Sequence, residues 1–134
     1  MYDKILVALD ASPTDEAIIN HIGELAAIHK SHVILLRVAH YHTRDQGTHE
    51  VDESEEYMQS VVKRLTSKGI DVETLISVGE PADEIVRQAE NLHVDLIAMS
   101  THGHRGIYDL VLGSVAEEVR HEVSIPVLLI RSPG

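Results

Sequence analysis

The sequence contains no cysteine, no phenylalanine and no tryptophan, and only four tyrosines among its 134 residues. Without cysteine, disulfide bonds, thiol catalysis and thiolate metal sites are excluded. No apolar run approaches the roughly 20 residues that a transmembrane helix needs. The chain also enters its first predicted strand without a signal-peptide pattern. These absences predict a cytoplasmic protein that has no membrane segment and whose core is aliphatic.

Positive charge is scarce as well, because 11 lysines and arginines stand against 22 aspartates and glutamates, for a net charge of -11. A chain of this charge repels phosphate polymers, so binding to nucleic acid is not expected. The acidity is better interpreted as a means of staying soluble. The length predicts a single domain over residues 1–134.

Buried strands and amphipathic helices alternate in the predicted secondary structure. The predicted strands cover residues 4–9, 32–38, 70–76, 94–98 and 126–131. The predicted helices run from Ser12 to His29, from Glu53 to Lys68, from Pro81 onward and from Val115 to His121. The polar segment from Ala39 to Asp52 is predicted to be a mobile loop. Regular alternation of this kind predicts an α/β fold, a doubly wound parallel sheet with helices on both faces.

A segment punctuated by glycine joins the fourth predicted strand to the fourth helix. It begins with residues 99–103 and ends with Gly113 and Ser114. Glycine lets a backbone approach an anion, and the N–H groups of a first helical turn point at that anion. Open parallel sheets bind ligands where the winding direction switches, so Asp10 and Gly103 line one crevice if their strands are neighbours. The pattern predicts nucleotide binding.

Two common nucleotide signatures are excluded. A Walker A loop needs a lysine before its final serine or threonine, and no lysine precedes Ser114 in this way. A dinucleotide fingerprint needs three glycines after the first strand, where this chain has Asp10, Ala11 and Ser12.

The spacing Ser100-x2-Gly103-x9-Gly113-Ser114 resembles the Gly-x2-Gly-x9-Gly-[Ser/Thr] ATP-binding motif of the universal stress protein family. The likeness covers essentially the whole chain. It extends to residues 5–12, 35–38, 79–85, 112–117 and 126–131. It implies a Rossmann-like five-stranded sheet of order 3-2-1-4-5, similar to the adenine nucleotide alpha hydrolases.

The resemblance further implies a homodimer that pairs the fifth strands. The expected interface residues are Val127, Leu128, Leu129 and Ile130. Elementary physics agrees with this expectation, because an apolar edge strand would otherwise be left exposed.

The resemblance also implies a ligand, ATP with Mg²⁺ or Mn²⁺ on its phosphates. In that arrangement Asp10 contacts the ribose and Val38 meets the adenine through its backbone. The adenine pocket is lined by Ala8 and Leu9, with Met99 nearby. The residues that hold the phosphates are Gly103, Gly113, Ser114 and Val115.

One position departs from the motif, because Ser100 stands where the family has its first glycine. Its hydroxyl is able to bond a ribose or phosphate, but its side chain adds bulk where the backbone approaches the ligand. ATP binding is the expectation, and a dimeric stress adaptor without ATP is the alternative. Ser114 with Glu117 also forms a capping box that needs no ligand, and Asp10 is equally suited to capping its turn.

Histidines and one arginine beside the motif raise the question of catalysis. His102, His104 and Arg105 would lie near the phosphates, which keeps a slow ATP hydrolase as a second alternative. No partner base for a histidine is evident in the sequence, so efficient catalysis is not predicted. Loop histidines are ordinarily solvated, so no protein metal site is predicted from His40, His42 and His49.

Overall fold

The computed structural model describes residues 1–10, 15–39, 44–102 and 115–132. Its strands are β1 (Lys4–Leu9), β2 (His32–Ala39), β3 (Asp71–Val78), β4 (Leu96–His102) and β5 (Val127–Ser132). Its helices are α1 (Asp15–His29), α2 (Arg44–Thr66), α3 (Pro81–Leu92) and α4 (residues 115–122). The predicted alternation of strands and helices is therefore confirmed.

All five strands pair in parallel, in the order β3-β2-β1-β4-β5. The expected sheet order is thus confirmed, with β1 at its centre. Strands such as β1 and β2 are covered on both faces, which is why they consist of continuous aliphatic runs rather than alternating ones. Ile5 and Leu6 are fully buried although they point to opposite faces. By contrast β3 lies at an edge, and its residues are exposed or only partly buried, as its mixed sequence predicts.

Each face of the sheet has its own core. On one face, here called the α1/α2 face, Ile5 and Val7 pack with Ile22 of α1 and Leu65 of α2. On the other, the α3/α4 face, Leu6 and Ile97 pack with Ile85 of α3 and Val119 of α4. The division follows from strand geometry, because successive side chains point to opposite sides.

Helix α3 shows how the local sequence sets these contacts. Pro81 occupies its first turn, and His93 closes it in a left-handed conformation whose N–H bonds the Ala89 and Glu90 carbonyls. The inward-facing residues Ala82, Ile85, Val86 and Ala89 are all buried, as their helical spacing predicts.

Two predicted boundaries are wrong. Helix α2 begins at Arg44 instead of Glu53, so most of the predicted loop from Ala39 to Asp52 is helical. The segment contains no proline, and extending a helix that is already anchored by packing costs little. Strand β4 continues to His102, because Ser100, Thr101 and His102 pair with the last three residues of β5. The predicted start of the first helix at Ser12 lies outside the described residues.

Candidate functional site

The carboxyl ends of the three central strands are staggered. The last pair between β1 and β2 is Leu9 with Arg37, and β2 then continues two residues further, to Ala39. On the other side β1 and β4 last pair at Ala8 with Met99, and β4 continues to His102. The chain leaves β1 towards the α1/α2 face, and α4, which follows β4, covers the α3/α4 face. The winding therefore switches between β1 and β4, where open α/β sheets form a ligand crevice.

The Val38 carbonyl points into the gap beyond the end of β1. The neighbouring Ala39 carbonyl accepts a hydrogen bond from the Gly79 N–H on the β3 side, at 3.0 Å. Because backbone groups alternate sides along a strand, the Val38 carbonyl faces the β1 side. There it accepts a hydrogen bond from Nη1 of Arg37. A backbone acceptor thus lies at the position where the resemblance implies adenine recognition.

Apolar side chains form one wall beside this carbonyl. Ala8, Val38, Met99 and Val115 all belong to the core of the α3/α4 face. Met99 and Val38 are almost fully buried, whereas Ala8 and Val115 are only partly buried and therefore remain accessible at the rim. The structure thus brings together four of the predicted site residues from three strands and one helix.

Two other predicted site residues lie on the opposite face. Leu9 packs into the α1/α2 core, so the part of it that reaches the crevice is its backbone. Ser100 is 6% exposed and pairs with Ile130. Its side chain points to the same side as those of Leu96 and Ala98, which belong to the α1/α2 core. The serine therefore adds no bulk to the wall that carries Met99.

Asp10 follows β1 directly and is held by a residue that the sequence reasoning did not connect to the site. The backbone N–H of Asp10 donates to Oδ1 of Asp15 at 3.2 Å. Asp15 is 1% exposed and also accepts a hydrogen bond from the Tyr57 hydroxyl at 2.6 Å. Asp15 lies at the start of the described part of α1, and Tyr57 lies on the inward face of α2. No sequence signal joined residues 42 positions apart.

The predicted phosphate-binding residues Gly103, Gly113 and Ser114, with His104 and Arg105, lie outside the described residues, as do His40 and His42. His49 is a residue of helix α2. Within the described ranges no three histidine, aspartate or glutamate side chains are placed to hold a metal ion. No helix in the described part of the chain is long and apolar enough to cross a membrane.

Strand β5 forms one edge of the sheet and has β4 as its neighbour. Leu128 and Ile130 pack towards the α1/α2 face and Val127 towards the α3/α4 face. Leu129 is 40% exposed, which makes it one of the few large aliphatic side chains in the described part of the chain that reach solvent. The edge is therefore apolar, as the sequence predicts.

This fold and crevice define a doubly wound α/β protein of the ligand-binding type, and comparison with known proteins is consistent with that class. Residues 1–131 match the universal stress protein family. The chain is 31% identical to universal stress protein MJ0577 of Methanocaldococcus jannaschii, over 98% of this chain and 96% of that protein. The solved structure of MJ0577 superposes with a TM-score of 0.83 and 33% identity, covering 100% of this chain and 99% of the other. The chain belongs to the universal stress protein family.

Two further solved structures share the fold. One is a universal stress protein in complex with cAMP, with a TM-score of 0.78, 23% identity and 98% coverage of both chains. The other is the universal stress protein of Archaeoglobus fulgidus in complex with dAMP, with a TM-score of 0.75 and 24% identity. It covers 96% of this chain and 98% of that one. At these identities the likeness concerns the fold alone.

Proposed function

We propose that this universal stress protein binds ATP, with Mg²⁺ or Mn²⁺ on its phosphates, in the crevice between β1 and β4. The observation that carries the proposal is the early end of β1 between two longer strands. The Val38 carbonyl already accepts from Arg37, and its second lone pair would accept from the adenine amino group beside an apolar wall suited to a flat base. Two proteins of the same fold hold adenine nucleotides, cAMP and dAMP, which supports the class of ligand.

The described residues fit the adenosine half of the ligand. Ala8 of β1 and Met99 of β4 are paired residues on neighbouring strands. Their side chains would flank the adenine base. Asp10 lies past the end of β1, where a carboxylate is able to accept hydrogen bonds from the ribose hydroxyls. The phosphates and their metal would then extend towards Gly103, Gly113, Ser114 and Val115. Val115 begins the described part of α4, and the other three lie outside the described residues.

The proposed role is nucleotide sensing in a cytoplasmic stress response, not turnover. ATP binding would change which partners the protein engages. Catalysis slower than that of a dedicated ATPase is expected, because the sequence places no evident base beside the phosphates to orient water. The rival functions are a dimeric adaptor that binds no ATP and a slow ATP hydrolase.

Calorimetric titration with ATP and Mg²⁺ tests this proposal. Wild-type protein is expected to bind in the micromolar range, and Asp10→Asn to bind about tenfold more weakly, because it loses a charge-assisted hydrogen bond. Asp3→Asn is the matched control, since it removes the same charge at the exposed opposite end of β1. No heat from folded wild-type protein would favour the adaptor. Steady phosphate release at saturating ATP would favour the hydrolase.

The proposed assembly is a homodimer in which the β5 strands of two copies lie side by side. It would cover the apolar edge at Leu129 and pair the outer backbone groups of β5. Light scattering is expected to give twice the 14.8 kDa chain mass for the wild type and the single mass for Leu129→Asp. Ile28→Asp is the control, because Ile28 is also exposed but lies on α1. A dimer that survives Leu129→Asp would contradict this arrangement.

A further inference from the structure

The α1/α2 face holds a buried carboxylate beside the proposed nucleotide site. Asp15 opens the described part of α1 and is 1% exposed. Aspartate is almost never fully buried unless its charge is paired or hydrogen-bonded. Here one oxygen accepts the Asp10 N–H at 3.2 Å and the other accepts the Tyr57 hydroxyl at 2.6 Å. The carboxylate therefore links Asp10, which follows β1 directly, to Tyr57 of helix α2.

Tyr57 is well placed to donate its hydrogen bond to Asp15. Its ring packs against the core of the α1/α2 face, which shields the phenol partly from water. Burial raises the pKa of Tyr57 well above its usual range, and the hydrogen bond to Asp15 raises it further. The raised pKa favours the protonated phenol, which is the form that donates to Asp15.

We propose that Tyr57 and Asp15 are positioning residues for the nucleotide site, holding Asp10 where its carboxylate meets the ribose and thereby coupling α2 to nucleotide occupancy. This inference rests on the proposed ATP site. Tyr57 touches no nucleotide and acts through Asp15, whose two oxygens join α2 to the end of β1. Coupling is reciprocal, so a nucleotide that fixes Asp10 also strengthens the hold of Asp15 on Tyr57.

A second connection between the same helices provides an internal control. Arg64 of α2 bonds both carboxylate oxygens of Glu16, at 2.6 and 3.3 Å, and the Asn20 amide oxygen at 3.1 Å. These contacts are exposed, and none of them involves Asp10 or Asp15. Replacing Arg64 therefore removes contacts between α1 and α2 and leaves the hydrogen bonds of Asp15 in place.

The test compares Tyr57→Phe with Arg64→Gln in the protein of 134 residues. Tyr57→Phe keeps the packed ring and removes only the hydroxyl, so the variant is expected to fold. Titration with ATP and Mg²⁺ is expected to show about five- to tenfold weaker binding for Tyr57→Phe, because one hydrogen bond to a charged group is lost. Arg64→Gln is expected to bind within about twofold of wild type. Thermal unfolding of both variants, measured in parallel, separates affinity from stability.

A spectroscopic readout distinguishes positioning from a general loss of stability. Protein carrying 3-fluorotyrosine gives one fluorine resonance for each of its four tyrosines, and Tyr57→Phe identifies the signal of residue 57. That signal is expected to shift when ATP is added to wild type and to Arg64→Gln. It is expected to stay unchanged in Asp15→Asn, where the amide no longer provides a charged acceptor for the phenol.

The outcomes separate the two proposals. If wild type binds ATP and Tyr57→Phe binds it equally well, the positioning role is overturned while the ATP site stands. If Arg64→Gln weakens binding as much as Tyr57→Phe does, general helix packing explains the effect and the link is again overturned. If folded wild-type protein gives no heat, both the ATP site and the inference that depends on it fail.

Discussion

The amino end of the sheet is held together by hydrogen bonds to its connections, whereas at the carboxyl end the strands stop at different heights. At the amino end the Asp95 carboxylate accepts the N–H groups of Asp3 at 2.8 Å and of Lys4 at 3.1 Å. Beside it the buried Ser31 hydroxyl donates to the Tyr2 carbonyl at 2.5 Å. The polar side chains at this end hold the first residues of the strands in place and so stabilise the fold.

At the carboxyl end the same sheet directs polar groups towards a gap. The Val38 carbonyl and Asp10 lie where β1 has already ended, and the buried Asp15 carboxylate accepts the Asp10 N–H. The difference shows how one parallel sheet separates its tasks. Residues at the amino end contribute to stability, and those at the carboxyl end lie beside the proposed ATP site. Substitutions at the two ends are therefore expected to act on different measured quantities.

The largest expected effect is on stability and comes from the amino end. Asp95→Ala removes the acceptor of two backbone N–H groups, and we expect it to lower the free energy of unfolding by about 2 kcal/mol. Urea denaturation measures this loss, with Glu24→Ala on the exposed side of α1 as the control. ATP affinity should stay within about twofold of wild type. If Asp95→Ala weakened ATP binding and left stability unchanged, the amino end of the sheet would contribute to ligand binding, contrary to this comparison.

The next effect is on affinity and comes from the carboxyl end. Ala8→Leu adds bulk at the rim of the apolar wall, against Met99. Because the larger side chain occupies space needed by the base, ATP binding should weaken by about tenfold, or roughly 1.4 kcal/mol. Calorimetry measures the change, and Ala27→Leu on the exposed side of α1 is the matched control. Equal ATP affinity in the two variants would show that the base does not bind beside Ala8.

A smaller effect on stability is expected from Ser31. This residue is 2% exposed, and Ser31→Ala leaves the Tyr2 carbonyl without its donor. A loss of about 1 kcal/mol in the free energy of unfolding follows, without loss of ATP affinity. Ser67→Ala removes a comparable hydroxyl–carbonyl bond, of 2.7 Å, in an exposed position and should cost less. Equal losses would show that burial at the amino end is unimportant.

The smallest effect is expected from the ion pair of Glu84 and Arg87 on α3. The hydrogen bond from Arg87 holds the pKa of Glu84 below its usual range. A depressed carboxyl pKa contributes stability above the unfolded pKa, and this contribution disappears as the pH falls through the folded value. Arg87→Gln should therefore shift the urea midpoint slightly at pH 7, because Arg87 is largely exposed to solvent. In strong acid it should cause no shift, because Glu84 is then protonated. A shift that grows in acid would contradict this sign.

The sequence predicts those features that depend on local periodicity. The inward positions of α3, the continuous aliphatic run of β1 and the mixed pattern of β3 each identify an element and its buried side. The first residue of α2 is not predictable in this way, because residues 44–52 lack an apolar period and become helical as an extension of a packed helix.

Features that depend on distant partners are not predictable from local sequence. Strand β4 extends to His102 because β5 pairs with it, and β5 lies beyond a whole helix in the chain. The bond between Tyr57 and Asp15 joins two helices across 42 positions. The place of the proposed nucleotide site could be inferred from the sequence, because the motif residues and the ends of the strands indicate it. Its supporting residues on α1 and α2 could not.

The central claim is that the crevice at the carboxyl end of the sheet, and not its amino end, binds ATP. Nuclear magnetic resonance of ¹⁵N-labelled protein during titration with ATP and Mg²⁺ tests this claim most directly. Saturable amide shifts are predicted at Ala8, Asp10 and Ser100, with little change at Lys4 and Ser31. Shifts concentrated at the amino end, or no saturable shifts at all from folded protein, would contradict the account.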